Sequence, residues 1–275
     1  MKGSTRAATT AVTAAGNRWL AGRQPRTDTT LDLYCFAHAG GSAGEFLRWS
    51  ADLPGVRVWA VKMPGRAPRQ DEPPYTRMTA LVDDLVEQVD FGRRDFAFFG
   101  HSLGSIVAFE VARALRRAGR RQPRRLLLSS AQPPPIPLGP ITHTLPGDEL
   151  LAEAESRWGG LPQVIHEEPE LKELVIGYFR ADAELAETYQ YVDEEPLDVP
   201  ITAFVGDEED VTLLDWHVHT REACDGHVLR GGHFYFRDPE QQQALVRLIR
   251  RALDVDLQPD AGETGRTERT ATAEE

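Results

Sequence analysis

The feature that most constrains the fold of this chain is an alternation of short apolar runs with stretches whose apolar residues have helical spacing. The runs are LDLYCFAH (31–38), VRVWAVKM (56–63), DFAFFG (95–100), RRLLLSSA (124–131), ITAFVGD (201–207) and HVLRGGH (227–233). Helices are predicted over 79–89, 105–118 and 239–253. Most runs are continuously apolar, which is typical of strands covered on both faces. The pattern predicts an α/β fold with a mostly parallel sheet flanked by helices.

One long interval breaks this alternation. Residues 132–200 separate two of the apolar runs and begin with the proline-rich stretch QPPPIPLGP. Helical spacing returns at 148–158 and at 169–190. Because such a segment is too long for a simple crossover, it predicts a helical insertion over one end of the sheet, in the position of a lid.

The two ends of the chain differ in composition from the middle. Residues 1–16 are rich in Ala, Thr and Gly, and residues 257–275 are polar and lack aromatic side chains. Both ends are predicted to be disordered, which leaves 17–256 as a single domain. Cys35 and Cys224 are too few for a disulfide framework or a Cys-rich zinc site. A reducing cytoplasm is therefore the expected location.

Charge and hydropathy exclude two classes of partner. The net charge of −12 argues against binding to nucleic acid or anionic lipid along the whole chain. No apolar run approaches the roughly 20 residues that a membrane helix needs. The charge is uneven, because residues 148–209 contain 18 acidic and 3 basic side chains. The remainder of the chain is mildly basic.

A candidate nucleophile lies where the third apolar run meets a predicted helix. The sequence Gly100-His101-Ser102-Leu103-Gly104 matches G-x-S-x-G at a strand–turn–helix junction. There the serine occupies a sharp turn, and the helix N-terminus places free N–H groups beside its hydroxyl. We interpret Ser102 as the nucleophile and the Leu103 N–H as an oxyanion donor.

A serine nucleophile needs a general base and a carboxylate that orients the base. On such a fold the acid and then the histidine follow the serine, each in a loop after a later strand. His233 follows the last apolar run behind two glycines and is the candidate base. Among the carboxylates after ITAFVG, Asp210 is favoured and Asp207 is the alternative, while the two glutamates between them are interpreted as solvated. Ala39, in the glycine-rich HAGGS (38–42), is assigned as the second oxyanion donor.

Several motifs agree in order and spacing with one protein family. They are CFAHAGGSAGEF (35–46), MPGRAPR (63–69), FFGHSLG (98–104), AETYQY (186–191) and LRGGHFYF (229–236). On these motifs the chain, over residues 17–253, resembles the type II thioesterases of polyketide and nonribosomal peptide assembly lines, which have the α/β-hydrolase fold. The resemblance implies an enzyme that removes aberrant or stalled acyl groups from the phosphopantetheine arm of acyl or peptidyl carrier proteins.

The same resemblance implies a monomer, and hydrolysis through a serine nucleophile is expected to need no cofactor or metal. The resemblance places the catalytic serine and histidine at Ser102 and His233 and the oxyanion donors at Ala39 and Leu103. The acid stays open. The family has G-D-x-D-P, with its acid three residues after the glycine, whereas this chain has GDEEDV (206–211) with a glutamate at that offset. Counting forward from the glycine favours Asp210, and counting back from the histidine favours Asp207.

Other functions remain open on the sequence alone. They are a fatty-acyl chain-terminating thioesterase, a small-molecule esterase, and a binding protein of the hydrolase fold without turnover. Two finer hypotheses concern surfaces. The acyl pocket is placed under the predicted lid, with Trp158, Tyr178, Phe179 and Tyr189 as lining. The arginines near the end of the nucleophile helix, Arg116, Arg117 and Arg120, are considered as a surface that steers an acidic carrier protein.

Overall fold

The computed structural model describes residues 18–22, 29–135, 141–159 and 162–254. The predicted disordered ends, 1–16 and 257–275, lie outside these ranges. The strands are β1 (Leu20–Gly22), β2 (Leu31–Phe36), β3 (Val56–Val61), β4 (Asp95–His101), β5 (Leu126–Ser129), β6 (Ile201–Gly206) and β7 (Cys224–Leu229). They form one sheet in the order β1-β3-β2-β4-β5-β6-β7. Every neighbouring pair is parallel except β1 with β3.

Helices cover both faces of this sheet. They are α1 (Gly44–Leu47), α2 (Met78–Gln88), α3 (Leu103–Arg117), α4 (Gly147–Trp158), α5 (Gln163–Glu167), α6 (Pro169–Glu187) and α7 (Pro239–Ala252). The buried side chains of α2 and α3 belong to the core on one face, and those of α1 and α7 belong to the core on the other. The predicted α/β-hydrolase fold is confirmed.

Helices α4, α5 and α6 lie between β5 and β6 in the chain, within the interval that the sequence assigned to an insertion. They pack on one another through small apolar clusters of their own, which include Leu151, Ile165 and Val175. Near its end α6 also joins the main core, where Leu185 is fully buried. These helices therefore form a layer that rests on the body through the last turns of α6.

Two elements differ from the sequence-based expectation at the edges of the sheet. The edge strand β1 was not predicted, because three residues are too few to show a strand period. Strand β7 begins at Cys224 rather than at His227. Its first residues, CDG, are polar or small and half-exposed or exposed, as an edge strand permits, so hydrophobicity does not reveal them.

The parallel arrangement determines where the functional loops meet. Strands β2, β4, β5, β6 and β7 run in the same direction, so their carboxyl ends lie along one edge of the sheet. The loops after these strands carry Ala39, Ser102, Ser130, Glu209 and His233. Ligands of open α/β sheets bind at this edge. In the described ranges no helix combines the length and the hydropathy needed to cross a bilayer.

Candidate active site

Ser102 occupies a sharp turn between β4 and α3. Its backbone has φ 54° and ψ −123°, a conformation that non-glycine residues rarely adopt. The Ser102 N–H donates to the carbonyl of Ser129 at 2.8 Å, which ties the turn to the end of β5. The structure thus places the serine of G-x-S-x-G where the motif predicts it, ahead of the first turn of a helix.

The two glycines of the motif are required by close backbone approach. A Cβ on Gly104 would collide with the carbonyl of Phe36 at the end of β2. A Cβ on Gly100 would collide with the backbone of Gly104 and Ser105. The turn is therefore compact because strand, turn and helix touch through backbone atoms, which only glycine allows.

Replacement of Gly104 by alanine is expected to lower the free energy of unfolding by about 3 kcal/mol, because the new methyl group meets rigid backbone. The matched control is Gly177→Ala, at an exposed position in α6 with open space around the new Cβ. That change is expected to raise stability by about 0.5–1 kcal/mol. Urea unfolding followed by circular dichroism measures both values. Equal effects of the two substitutions would contradict the close packing of the turn.

His233 is paired with a glutamate. The His233 Nδ1 lies 2.8 Å from Oε1 of Glu209, and the two side chains are only 12% and 13% exposed. Because the carboxylate can only accept, Nδ1 carries the proton and Nε2 is left as the basic nitrogen. Gly231, at φ 117°, forms the turn that precedes this histidine.

The other oxygen of Glu209 is held from two directions. Its Oε2 accepts a hydrogen bond from the Ser130 hydroxyl at 2.6 Å and another from the Gly206 N–H at 3.0 Å. Burial alone would raise the pKa of the Glu209 carboxyl, but the hydrogen bonds from His233 and Ser130 keep that pKa below its usual value. The carboxylate is therefore ionised at neutral pH and aimed at the imidazole.

This pairing argues for Glu209 as the acid, and against the two aspartates that the sequence favoured. Asp210 is exposed and accepts from the Thr212 N–H at 2.9 Å, as the cap of a short 3₁₀ helix over Val211–Leu214. That hydrogen bond lowers the pKa of Asp210. Asp207 is also exposed and accepts from the Gly231 N–H at 2.8 Å, bracing the turn before His233. The interpretation of Glu209 as a solvated residue was wrong, because its side chain is mostly buried.

A buried polar network lies beneath the histidine. The hydroxyl of Ser129 contacts His101 Nδ1 at 2.9 Å and the Tyr235 hydroxyl at 2.7 Å. The ring of His101 packs 4.9 Å from that of His233, centroid to centroid. Burial above all lowers the pKa of His101 well below its usual value, so this ring is neutral. Because the His101 ring is neutral, it does not repel the positive charge that His233 gains when it accepts a proton.

The assigned oxyanion donors lie in the expected loops. Leu103 is the first residue of α3, so its N–H has no acceptor within its own helix. Ala39 lies in the loop after β2, and both residues line the same cavity as Ser102 and His233. The Nδ1 of the neighbouring His38 donates to the carbonyl of Ala39 at 2.8 Å, and its Nε2 lies 2.9 Å from Oε2 of Glu45. His38 thus braces the loop that carries Ala39.

The site opens into a cavity of about 330 Å³ beneath the lid helices. Of the side chains proposed as lining, Trp158 and Phe179 border this cavity, and the Trp158 ring lies 6.0 Å from that of His233. Tyr178 borders an adjoining cavity instead. Tyr189 points away, with its hydroxyl donating to Glu110 at 2.6 Å. Among the described residues, no group of three or more His, Cys, Asp or Glu side chains could hold a metal ion.

Sequence reasoning missed Ser130, which supports the acid. Ser130 follows β5 with φ 49° and is buried. The pair of serines after the apolar run RRLLLSSA was the available signal, since polar residues at the carboxyl end of a parallel strand lie at the functional edge.

A serine–histidine–carboxylate set at the strand ends is compatible with many hydrolases, and the comparisons decide between them. The family model described as "Thioesterase domain" matches residues 32–253. The chain belongs to the thioesterase family. Its glycine-flanked serine, its histidine loop and all three lid helices fall within the matched range.

Relatives of this thioesterase occur in antibiotic biosynthesis. It is 35% identical over 240 residues to linear gramicidin dehydrogenase LgrE of Brevibacillus parabrevis, covering 84% of this chain and 90% of LgrE. It is 34% identical over 227 residues to thioesterase PikA5 of Streptomyces venezuelae, covering 80% of each. The solved type II thioesterase BorB, from the borrelidin biosynthetic cluster, superposes with a TM-score of 0.74 at 31% identity, covering 86% of this chain and 96% of BorB.

The name of LgrE calls it a dehydrogenase, whereas PikA5 and BorB are both named thioesterases. The family match and the serine turn of this chain agree with the names of the two thioesterases, PikA5 and BorB.

Proposed function

We propose that this protein is a type II thioesterase that hydrolyses aberrant or stalled acyl thioesters on the phosphopantetheine arms of acyl or peptidyl carrier proteins. The observation that carries the proposal is the pairing of His233 with Glu209 beside Ser102, in a cavity beneath the lid of a thioesterase-family chain. The proposal includes a monomer, as the resemblance implies, that acts in the cytoplasm, as the low cysteine content indicates.

In the proposed reaction, the Ser102 hydroxyl oxygen attacks the thioester carbonyl while His233 Nε2 takes the hydroxyl proton. The carbonyl oxygen becomes an oxyanion, which the N–H groups of Leu103 and Ala39 stabilise. The C–S bond then breaks, and the pantetheine sulfur leaves as a thiol with the proton from His233. The acyl group stays on Ser102 as an ester.

Water completes the cycle by the same route. His233 takes a proton from water as the water oxygen attacks the acyl ester, and it returns that proton to the Ser102 oxygen as the acid departs. The Glu209 carboxylate stays ionised throughout, because its hydrogen bonds keep its pKa below the usual value. It stabilises the imidazolium that forms in each step.

The location of the arginines argues against the hypothesis that they receive the carrier protein. Arg116 and Arg117 lie at the end of α3 farthest from Ser102, roughly 20 Å along a helix that rises about 1.5 Å per residue. Both pair with Glu194 at 2.8 Å, and Arg120 donates to the carbonyl of Val86. Glu194 thus offsets part of the charge of Arg116 and Arg117, and these arginines lie on the side away from the site.

A direct comparison of substrates tests the proposed function. We expect kcat/KM for an acyl group on a holo carrier protein to exceed that for the same acyl group on a small alcohol by at least about 10-fold. The two reactions are followed by intact mass and by product chromatography. Preference for the free ester would indicate a small-molecule esterase. Activity restricted to long acyl chains across a chain-length series would indicate a fatty-acyl chain-terminating enzyme.

A further inference from the structure

A buried ion pair joins the lid to the loop that carries Ala39. The Arg66 Nη2 donates to Oδ1 of Asp182 at 2.6 Å. Arg66, in the segment after β3, is 5% exposed, and Asp182, in the middle of α6, is 2% exposed. The Arg66 guanidinium also lies 4.9 Å from the ring centre of Tyr178, one turn earlier in the same helix.

Both partners also form a hydrogen bond to the backbone of the same loop. The other carboxylate oxygen, Asp182 Oδ2, accepts from the Gly40 N–H at 2.8 Å. The other guanidinium nitrogen, Arg66 Nη1, donates to the carbonyl of Gly41 at 2.9 Å. Gly40 directly follows Ala39 and has φ 74°, a left-handed conformation that the pair holds in place.

We propose that Arg66 and Asp182 are positioning residues that hold the Ala39 N–H in the oxyanion site and fix helix α6 to that loop. The inference rests on the proposed function, in which Ala39 donates to the oxyanion. The Ala39 amide lies in the chain between the end of β2 and the Gly40 turn. The hydrogen bond from the Gly40 N–H to Asp182 therefore also fixes the orientation of the Ala39 N–H. Oxyanion donors contribute most when they are preorganised.

Stability alone does not account for such a pair. Removing two charges from water costs about as much as their attraction returns, so a buried ion pair is weak support for a fold. Here each charge also holds a backbone group that no neighbouring strand or helix pairs. Helix α6 further contributes Phe179 and Ala183 to the wall of the cavity. The ion pair therefore fixes the position of the loop that carries Ala39 relative to that wall of the cavity.

A matched pair of double variants isolates the positioning effect. In Arg66→Met with Asp182→Asn, no buried charge is left unpaired and an amide oxygen remains for the Gly40 N–H. In Arg66→Met with Asp182→Leu, that acceptor is lost. We expect the second variant to have a kcat about 10- to 100-fold below that of the wild type, with KM little changed. The first variant, which keeps an acceptor for the Gly40 N–H, is expected to retain most of the wild-type kcat.

A second readout separates positioning from general loosening of the fold. A trifluoromethyl ketone carrying the same acyl chain forms a tetrahedral adduct with a serine and places its oxygen in the oxyanion site. Its affinity should fall by the same factor as kcat/KM in the Asp182→Leu double variant. The control is Asp32→Leu with Arg57→Met. These changes remove a bidentate ion pair, with N–O distances of 2.7 and 2.8 Å, near the amino ends of β2 and β3, away from the site. That control should leave kcat and ketone affinity unchanged.

The possible results separate the two proposals. Equal kcat and equal ketone affinity in both Arg66 double variants and in the wild type would overturn the positioning role. So would a loss that the control pair reproduces. A wild-type protein that hydrolyses no acyl thioester would instead overturn the proposed function, before the variants are compared.

Discussion

Replacement of Ser102 by alanine is expected to lower kcat for acyl-thioester hydrolysis by about 10⁴-fold or more, because no acyl-enzyme can form without the hydroxyl. The remaining rate would come from water acting in a site that still binds the substrate and its oxyanion. Release of the thiol from an acyl-pantetheine, followed with a thiol-reactive dye, measures both rates on one substrate.

The matched control is Ser156→Ala, on the exposed side of α4. It should hydrolyse the same thioester at the wild-type rate. Both variants should keep the wild-type far-ultraviolet circular dichroism spectrum. A Ser102→Ala protein that retains more than about a tenth of the wild-type kcat would exclude this serine as the nucleophile.

The second large effect is expected at Glu209. Glu209→Gln keeps the size of the side chain but removes the negative charge opposite His233 Nδ1, so kcat should fall by about 10²- to 10⁴-fold. The glutamine can also present its NH₂ group to the imidazole and favour the wrong tautomer. Thioester turnover at neutral pH with saturating substrate measures the loss.

Neighbouring carboxylates supply the controls for this change. Asp210→Asn replaces one good helix cap by another at an exposed position and should leave kcat unchanged. Asp207→Asn keeps an acceptor for the Gly231 N–H and should change kcat by no more than a few fold. A large loss at Asp210 or Asp207, with Glu209→Gln near the wild-type rate, would return the acid to the residues that the sequence favoured.

The depressed pKa of Glu209 also has a consequence for stability. Its carboxylate is ionised more readily in the folded than in the unfolded chain, so its contribution is present above the unfolded pKa and is lost as pH falls through the folded value. The difference in unfolding free energy between the wild type and Glu209→Gln should therefore shrink on acidification. Urea unfolding at neutral and acidic pH gives this difference.

Much of the fold could be predicted because its strands are buried on both faces. The predicted run at 56–63 contains the observed strand Val56–Val61, and the helix predicted at 79–89 is observed at Met78–Gln88. The serine and histidine positions follow from local signals, a glycine-flanked turn and a histidine behind two glycines. Neighbouring residues in the sequence therefore suffice to predict a strand from its apolar run and a site residue from the turn that holds it.

The acid could not be chosen in the same way. Four successive carboxylates, 207–210, all follow β6, and local spacing does not distinguish them. The choice depends on Ser130, which is distant in sequence and donates to Glu209 from the end of β5. The pair of Arg66 and Asp182, 116 residues apart, is likewise set by how the lid packs on the body. Such contacts between distant residues leave no local spacing in the chain from which the partner could be identified.

The most direct test of the central proposal is to look for the acyl group on Ser102. A holo carrier protein loaded with an acyl group is mixed with the thioesterase, quenched in acid within the first turnover, and both proteins are weighed by intact mass spectrometry. The proposal predicts loss of the acyl mass from the carrier protein, a transient gain of that mass on the wild-type enzyme, and its location by peptide mapping on Ser102. Acyl release with no acyl-enzyme, or with the acyl group on another residue, would contradict it.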